Sequence, residues 1–283
     1  MRLVRFGSPG AERPGLLDGT DTLRDLSGHV DDIAGPTLAA DARRRLAALD
    51  PASLPAVPGE PRLGPCVARP GKILGIGLNY RDHARETGAQ APTQPIVFSK
   101  AVSSVCGPDD DLLCPPGAVC LDWEVELAVV IGETARRVDE SGALGYVAGY
   151  CVLDDVSERA WQKDHGGQFV KGKSHDTFCP LGPWLVTADA VPDPQALALW
   201  TELGGERVQD GTTADMIFPV AALISHLSRY MTLEPGDVIA TGTPAGVGMG
   251  RQPPRYLRPG ESLRLGVEGL GEQTHRVVAD TRD

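Results

Sequence analysis

Residues 121–132 read L-D-W-E-V-E-L-A-V-V-I-G. If this run is a strand, Glu124 and Glu126 leave the same face, roughly 7 Å apart at a rise of ~3.3 Å per residue. Two carboxylates then share one pocket. The apolar run 127–131 implies burial on both faces, where two like charges without a partner are costly, so the pair asks for a cation. Asp154-Asp155, closing the apolar run 149–153, offers another oxygen donor. Glu124, Glu126 and Asp155 supply only oxygen, which suits hard cations such as Mg²⁺, Mn²⁺ or Ca²⁺; no His or Cys sits with them, which disfavours zinc. The competing reading puts both glutamates on a solvent-facing edge strand, paired with Lys or Arg. Asp122 shares their parity and is left outside the ligand set, as a strand-end cap or a further donor.

His83 and Glu86 stand three apart in N-Y-R-D-H-A-R-E-T-G. On a short helix they share a face and can form a proton-handling pair; in a surface turn they are ordinary polar residues. Residues 88–95 read as a loop of the kind that makes a lid. The run 167–174, G-Q-F-V-K-G-K-S, satisfies the phosphate-loop pattern, but a buried strand should precede it and a long helix follow. Polar residues 162–165 precede it, and Pro180 and Pro183 follow. A nucleotide triphosphatase is rejected on that ground. The glycine-rich run 242–250 lacks the spacing of a dinucleotide site, though its backbone N–H groups could approach a substrate carboxylate.

These residues need a scaffold. Residues 3–6 and 15–19 suggest a hairpin, and a helix from Pro36 carries Leu38, Ala42, Leu46 and Leu49. Six prolines between 51 and 70 forbid helix there, so the expected division is a small N-terminal α/β unit with its linker, 1–65, and a main domain, 66–283. Further expectations are a strand at 72–78, a short helix leading to a strand at 150–153, and a helix at 156–162. A hairpin over 197–209, an amphipathic helix at 219–230, and strands at 237–241, 262–267 and 273–278 complete the chain. Isolated helices among many strands point to a β-rich α+β fold rather than alternating βαβ units.

Composition removes whole classes. A net charge of −11 over 283 residues argues against a nucleic-acid surface. No run approaches the ~20 apolar residues of a membrane span, and residues 1–7 lack the apolar core of a signal peptide, so a cytoplasmic protein is expected. Six cysteines without a C-x-x-C pair read as mostly buried free thiols.

Four motifs in order, D-W-E-V-E-L-A-V-V-I-G, A-G-Y-C-V-L-D-D-V-S-E-R-A-W-Q, K-G-K-S-H-D-T-F-C-P-L-G-P-W and D-V-I-A-T-G-T-P-A-G-V-G, resemble the fumarylacetoacetate hydrolase family over about residues 70–280. The resemblance implies a mixed β-sandwich roll, a divalent metal (Mg²⁺, with Mn²⁺ or Ca²⁺ as substitutes) and a homodimer. By position it assigns the metal to Glu124, Glu126 and Asp155 and water activation to His83 and Glu86. It gives charge stabilisation to Lys173 and substrate contact to Arg159, Gln162 and Thr243. Asp154 departs from the Asn common in the family. The segment 165–184 is similar to a subgroup with 2,4-diketo-3-deoxy sugar acid hydrolases. The implied activity is hydrolysis of a C–C bond in a 2,4-dioxo acid such as an acylpyruvate. Alternatives on the same site are an oxaloacetate-type decarboxylase, an isomerase of an unsaturated 2-oxo acid, and a metal-stabilised binding protein.

Overall fold

The computed structural model describes residues 1–282. The chain opens with the expected hairpin, β1 (Arg2–Phe6) and β2 (Arg13–Leu17), extended by β3 (Leu23–Asp25). The helix expected from Pro36 is broken into α1 (Gly35–Leu38) and α2 (Ala40–Ala47), because Ala39 is extended and the Ala40 N–H turns to the Glu133 carboxylate instead. The proline-rich run holds one 3₁₀ turn, Pro51–Ser53, and buries Cys66, Val67 and Ala68. Next come β4 (Ile73–Gly77), α3 (Arg81–Glu86), β5 (Ile96–Ser99), β6 (Val105–Cys106) and β7 (Leu112–Cys114).

The acidic run is two strands rather than one, β8 (Leu121–Asp122) and β9 (Val125–Ile131), since each joins a different sheet. A 3₁₀ turn, Glu140–Tyr146, replaces the expected short helix, and β10 (Val147–Asp154) begins earlier than the sequence suggests. The helix expected at 156–162 also starts late. Ser157–Glu158 forms β11 against β8, and the Glu158 carboxylate then accepts the Trp161 N–H at 2.7 Å, capping α4 (Arg159–Asp164). Two elements the sequence reading did not expect come next, α5 (Val170–Lys173) and β12 (Cys179–Thr187), and the rest follows the expected order: β13 (Ala198–Leu203), β14 (Glu206–Thr212), α6 (Val220–Tyr230), β15 (Val238–Ala240), β16 (Ser262–Val267) and β17 (Gly271–Ala279).

The fold is β-rich α+β. A large mixed sheet runs β3-β2-β1-β12-β10-β9-β15-β4-β5, with β6 beside β12, and a second sheet runs β14-β13-β16-β17-β7. In β9 the odd residues Val125, Leu127, Val129 and Ile131 pack with Leu199, Leu265 and Leu223 of the second sheet and α6. The even residues Ala128 and Val130 pack with Leu3, Leu26 and Leu38 of the N-terminal segment. Burial on both faces explains the unbroken apolar run.

Strand direction then places the site. β4 and β15 are parallel, and β9 is antiparallel to both β15 and β10. The C-terminal ends of β4, β15 and β10 therefore meet the N-terminal end of β9 at one edge. Those ends lead to α3, to the glycine-rich run and to Asp154-Asp155, and from Glu124.

Candidate active site

Glu124 lies in the link between β8 and β9, where its N–H donates to Asp154 Oδ1 and its carbonyl accepts the Asp155 N–H, both at 2.9 Å. Glu126 follows on β9. These bonds draw the buried carboxylate oxygens of Glu124, Glu126 and Asp155 to within 4.8 Å of one another. The edge-strand alternative fails because β9 is flanked on both sides and Glu126 is 1% exposed.

Three buried cations answer these acids. Lys173 Nζ donates to Glu124 Oε2 at 2.8 Å and to Asp155 Oδ2 at 2.6 Å. Arg159 pairs with Glu124 Oε1 at 2.7 Å and donates through Nε to Asp122 Oδ2 at 2.8 Å. Lys100 donates to Asp155 Oδ1 at 2.5 Å. Five buried carboxylates, those of Asp122, Glu124, Glu126, Asp154 and Asp155, thus face three buried cations. Burial opposes ionisation of Glu124, but Arg159 and Lys173 outweigh it and hold its carboxyl well below the usual range. Glu126 goes the other way: burial, then repulsion from Asp155 and Glu124, pushes it well above. Burial pushes Asp154 up to about 7, and its Oδ2 has no hydrogen-bond partner. The acidic excess of two falls on groups without a cationic partner, and a hard divalent cation among three oxygen donors fits it in both charge and ligand type.

The second group arrives on α3. Leu78, with φ 52°, turns the chain out of β4, a left-handed conformation unusual for a branched side chain. Asn79 fixes the turn by donating to Thr241 O at 2.8 Å and Phe218 O at 3.1 Å and accepting the Phe218 N–H. On α3, His83 Nδ1 lies 3.1 Å from Glu86 Oε2, and Glu86 Oε1 accepts the Gly246 N–H at 2.8 Å. His83 is buried and Glu86 half-buried on this helix, so the pair is not a surface turn. Gly246 has φ 105°, and a Cβ there would overlap the Val208 carbonyl, so only glycine brings this N–H to Glu86. The other loop amides are engaged likewise: Gly242 N–H with Glu126 Oε2 at 2.8 Å, Gly248 N–H with Asp122 Oδ1 at 2.7 Å, and Met249 N–H with Asp122 Oδ2 at 3.0 Å. The glycine-rich run holds the chain's own carboxylates.

A cavity of about 230 Å³ opens over this edge. His83, Glu124, Glu126, Arg159, Gln162, Lys173 and Thr243 line it; Glu86 and Asp155 stand behind His83 and Lys173. The Thr243 hydroxyl donates to Val125 O and accepts from Gln209 Nε2, and Arg159 Nη1 donates to Gln162 Oε1. Sequence reasoning missed Lys100 and left Asp122 without its part as anchor of Arg159 and of two loop amides. It also passed over Phe98 and Phe169, which pack at 5.6 Å between centroids as a wall of the cavity, with Lys173 Nζ 5.0 Å from the Phe98 centroid. The phosphate-loop lookalike forms α5, four residues packed on α4, with Gly172 so close to Glu158 O that a Cβ would lie 2.5 Å from it.

Comparison with known proteins decides the family. Residues 72–278 match the family described as fumarylacetoacetate (FAA) hydrolase, C-terminal. The chain belongs to the fumarylacetoacetate hydrolase family. A Burkholderia multivorans protein whose name assigns it provisionally to the hydrolases is 60% identical over 96% of this chain and 97% of its own. Among solved structures, a fumarylacetoacetate hydrolase from Exiguobacterium antarcticum superimposes with a TM-score of 0.87 at 37% identity, covering 99% of both chains. A maleylpyruvate hydrolase from Sphingobium sp. SYK-6, solved with manganese(II) and pyruvate, gives 0.80 at 32%, also over 99% of both. A 2-hydroxyhepta-2,4-diene-1,7-dioate isomerase from Mycobacterium marinum gives 0.77 at 31% over the whole of both chains. The family therefore holds both hydrolases and isomerases on this fold.

Proposed function

We propose that this chain is a metal-dependent hydrolase that cleaves the C3–C4 bond of a 2,4-dioxo acid, giving a 2-oxo acid and a carboxylic acid. The supporting observation is the meeting, at one cavity, of an oxygen-only acidic triad with a histidine oriented by a carboxylate. Glu124, Glu126 and Asp155 would hold Mg²⁺, or Mn²⁺ or Ca²⁺ in its place. A bound divalent ion would supply Lewis-acid polarisation of a 2-oxo acid.

The chain's own groups do the rest. With Nδ1–H donated to Glu86, His83 keeps its Nε2 lone pair and takes a proton from water as general base. The hydroxide adds to the C4 carbonyl, the C3–C4 bond breaks, and its electron pair passes to the 2-oxo acid fragment as an enolate. Lys173 has committed two of its three N–H donors to Glu124 and Asp155, and the third stabilises the enolate oxygen until C3 is protonated. Gln162, its oxygen held by Arg159, offers its NH₂ group to the substrate.

The test is product analysis on chelator-treated protein, with a simple acylpyruvate and with oxaloacetate, before and after Mg²⁺. Pyruvate plus a carboxylic acid, appearing only with metal and lost in His83→Ala, is the expected result. Carbon dioxide from oxaloacetate alone would make it a decarboxylase. The isomerase neighbour keeps a second reading open, enol–keto isomerisation of an unsaturated 2-oxo acid, which silence on both substrates would favour. Metal-dependent stability with no turnover and no effect of His83→Ala would indicate a binding protein. A cytoplasmic homodimer belongs to the same proposal and is checked by light scattering.

A further inference from the structure

Gln209 lies on β14, in the second sheet, is 1% exposed and stands outside the lining of the cavity. Its amide nevertheless reaches both halves of the site. Oε1 accepts the Val125 N–H at 3.1 Å and the Thr201 hydroxyl at 2.8 Å. Nε2 donates to the Thr243 hydroxyl at 2.8 Å and to Pro244 O at 3.0 Å. These bonds use the full capacity of a carboxamide. A backbone N–H at one end and a backbone carbonyl at the other also fix which end is oxygen, since a flipped amide would set donor against donor and acceptor against acceptor.

Val125 stands between Glu124 and Glu126, where the ladder of the large sheet runs out. β15 pairs with β9 as far as Ala240, opposite Ala128, and the Thr241 N–H still reaches Leu127 O. From there side chains replace the strand. Gln209 takes the Val125 N–H, and the Thr243 hydroxyl donates to Val125 O at 2.9 Å. A closed ring results, from Val125 N–H to Gln209, from the Gln209 NH₂ to Thr243, and from the Thr243 O–H back to Val125, each donor pointing the same way round. The single Thr243 proton is thereby committed, and a lone pair is what this hydroxyl offers the cavity it lines.

We propose that Gln209 is a positioning residue that couples the two halves of the site. Its oxygen fixes the start of β9, which presents Glu124 and Glu126, and its nitrogen fixes the loop that presents Thr243. The proposal rests on the reading of the site as one for a divalent metal and a 2-oxo acid.

The experiment uses the full chain. Mg²⁺ is titrated by calorimetry, pyruvate is titrated into the Mg²⁺-loaded protein, and urea unfolding of the metal-free protein gives stability. Gln209→Leu removes both ends of the amide and is expected to weaken Mg²⁺ and pyruvate by about tenfold or more each. Gln209→Glu keeps the oxygen that serves Val125 and loses the NH₂ group, so it is expected to restore Mg²⁺ binding and leave pyruvate weak. Gln273→Leu is the structural control. Gln273 is also fully buried and crosses between the sheets, donating to Val152 O and Gly182 O at 3.0 Å, so its loss is expected to lower stability alone. Unchanged binding of both probes in Gln209→Leu, or retained pyruvate binding in Gln209→Glu, overturns the proposal. Where Gln209→Leu does not fold, Thr243→Val decides: it is expected to match Gln209→Glu in losing pyruvate alone, and a loss of Mg²⁺ in either overturns the proposal. An unsubstituted chain that binds Mg²⁺ but no pyruvate refutes the 2-oxo acid reading, and the Mg²⁺ titrations then judge Gln209 by themselves; binding of neither removes both.

Discussion

Glu124 and Glu126 stand two residues apart and ionise in opposite directions because only Glu124 has cationic partners. The two therefore respond differently to loss of charge. Glu126→Gln removes an unpartnered acid, and without metal it is expected to raise stability by about 1–3 kcal/mol while abolishing stabilisation by Mg²⁺. Glu124→Gln leaves Arg159 and Lys173 short of a buried partner and is expected to cost about 3–5 kcal/mol. Urea unfolding with chelator and with Mg²⁺ measures both; equal effects would refute the pairing. At this scale much of the site was legible. The spacing of the E-x-E before an apolar run and of the H-x-x-E after a strand lets each pair share a face, with a surface alternative open for both, and the structure brings each pair together; their roles are assigned only through the family resemblance. Lys100 has no such spacing: it closes a short strand, and only the fold brings it to Asp155.

Between elements, the glycine-rich run clamps α3 and β8 by lending backbone N–H groups to Glu86 and Asp122. Gly246→Ala must displace either the loop or the Val208 strand, so it is expected to cost about 2 kcal/mol or more. It should also cut kcat by more than Glu126-dependent metal binding is weakened, because Glu86 loses its anchor. Thermal unfolding, turnover and metal titration on one sample separate these effects. The glycines were visible in the sequence, but their partners were not, since a backbone donor has no residue type to betray it. Helix starts were missed for a related reason. The chain from Val156 stays extended because Ser157 and Glu158 pair with Asp122 and Leu121, a long-range contact that outweighs local helix propensity.

For the whole molecule, the N-terminal unit continues the main sheet. β1 hydrogen-bonds to β12 through Arg2–Val186 and Leu3–Leu185, and Leu3, Leu26 and Leu38 cover the face of β9 that carries Glu126. A 66–283 fragment would expose that apolar face and the β12 edge. It is expected to aggregate or to lose the cooperative unfolding of the full chain, checked by circular dichroism and sedimentation. The strand-rich class was readable from the many strand-like segments set among isolated helices. The joining of residues 1–65 to the same sheet was not, because strand order in a sheet is set by pairing partners far apart in the chain.

One edge of the large sheet collects side chains from α3, the β8–β9 link, the segment after β10, and the loop after β15, segments spread across most of the chain. A site drawn from such distant segments has no partial form: each contribution is misplaced until its strand has docked. Closing those long loops comes late in folding. A ligand of the finished site then has nothing to bind on the way up, so Mg²⁺ is expected to slow unfolding while leaving the refolding rate nearly unchanged, as stopped-flow fluorescence would record.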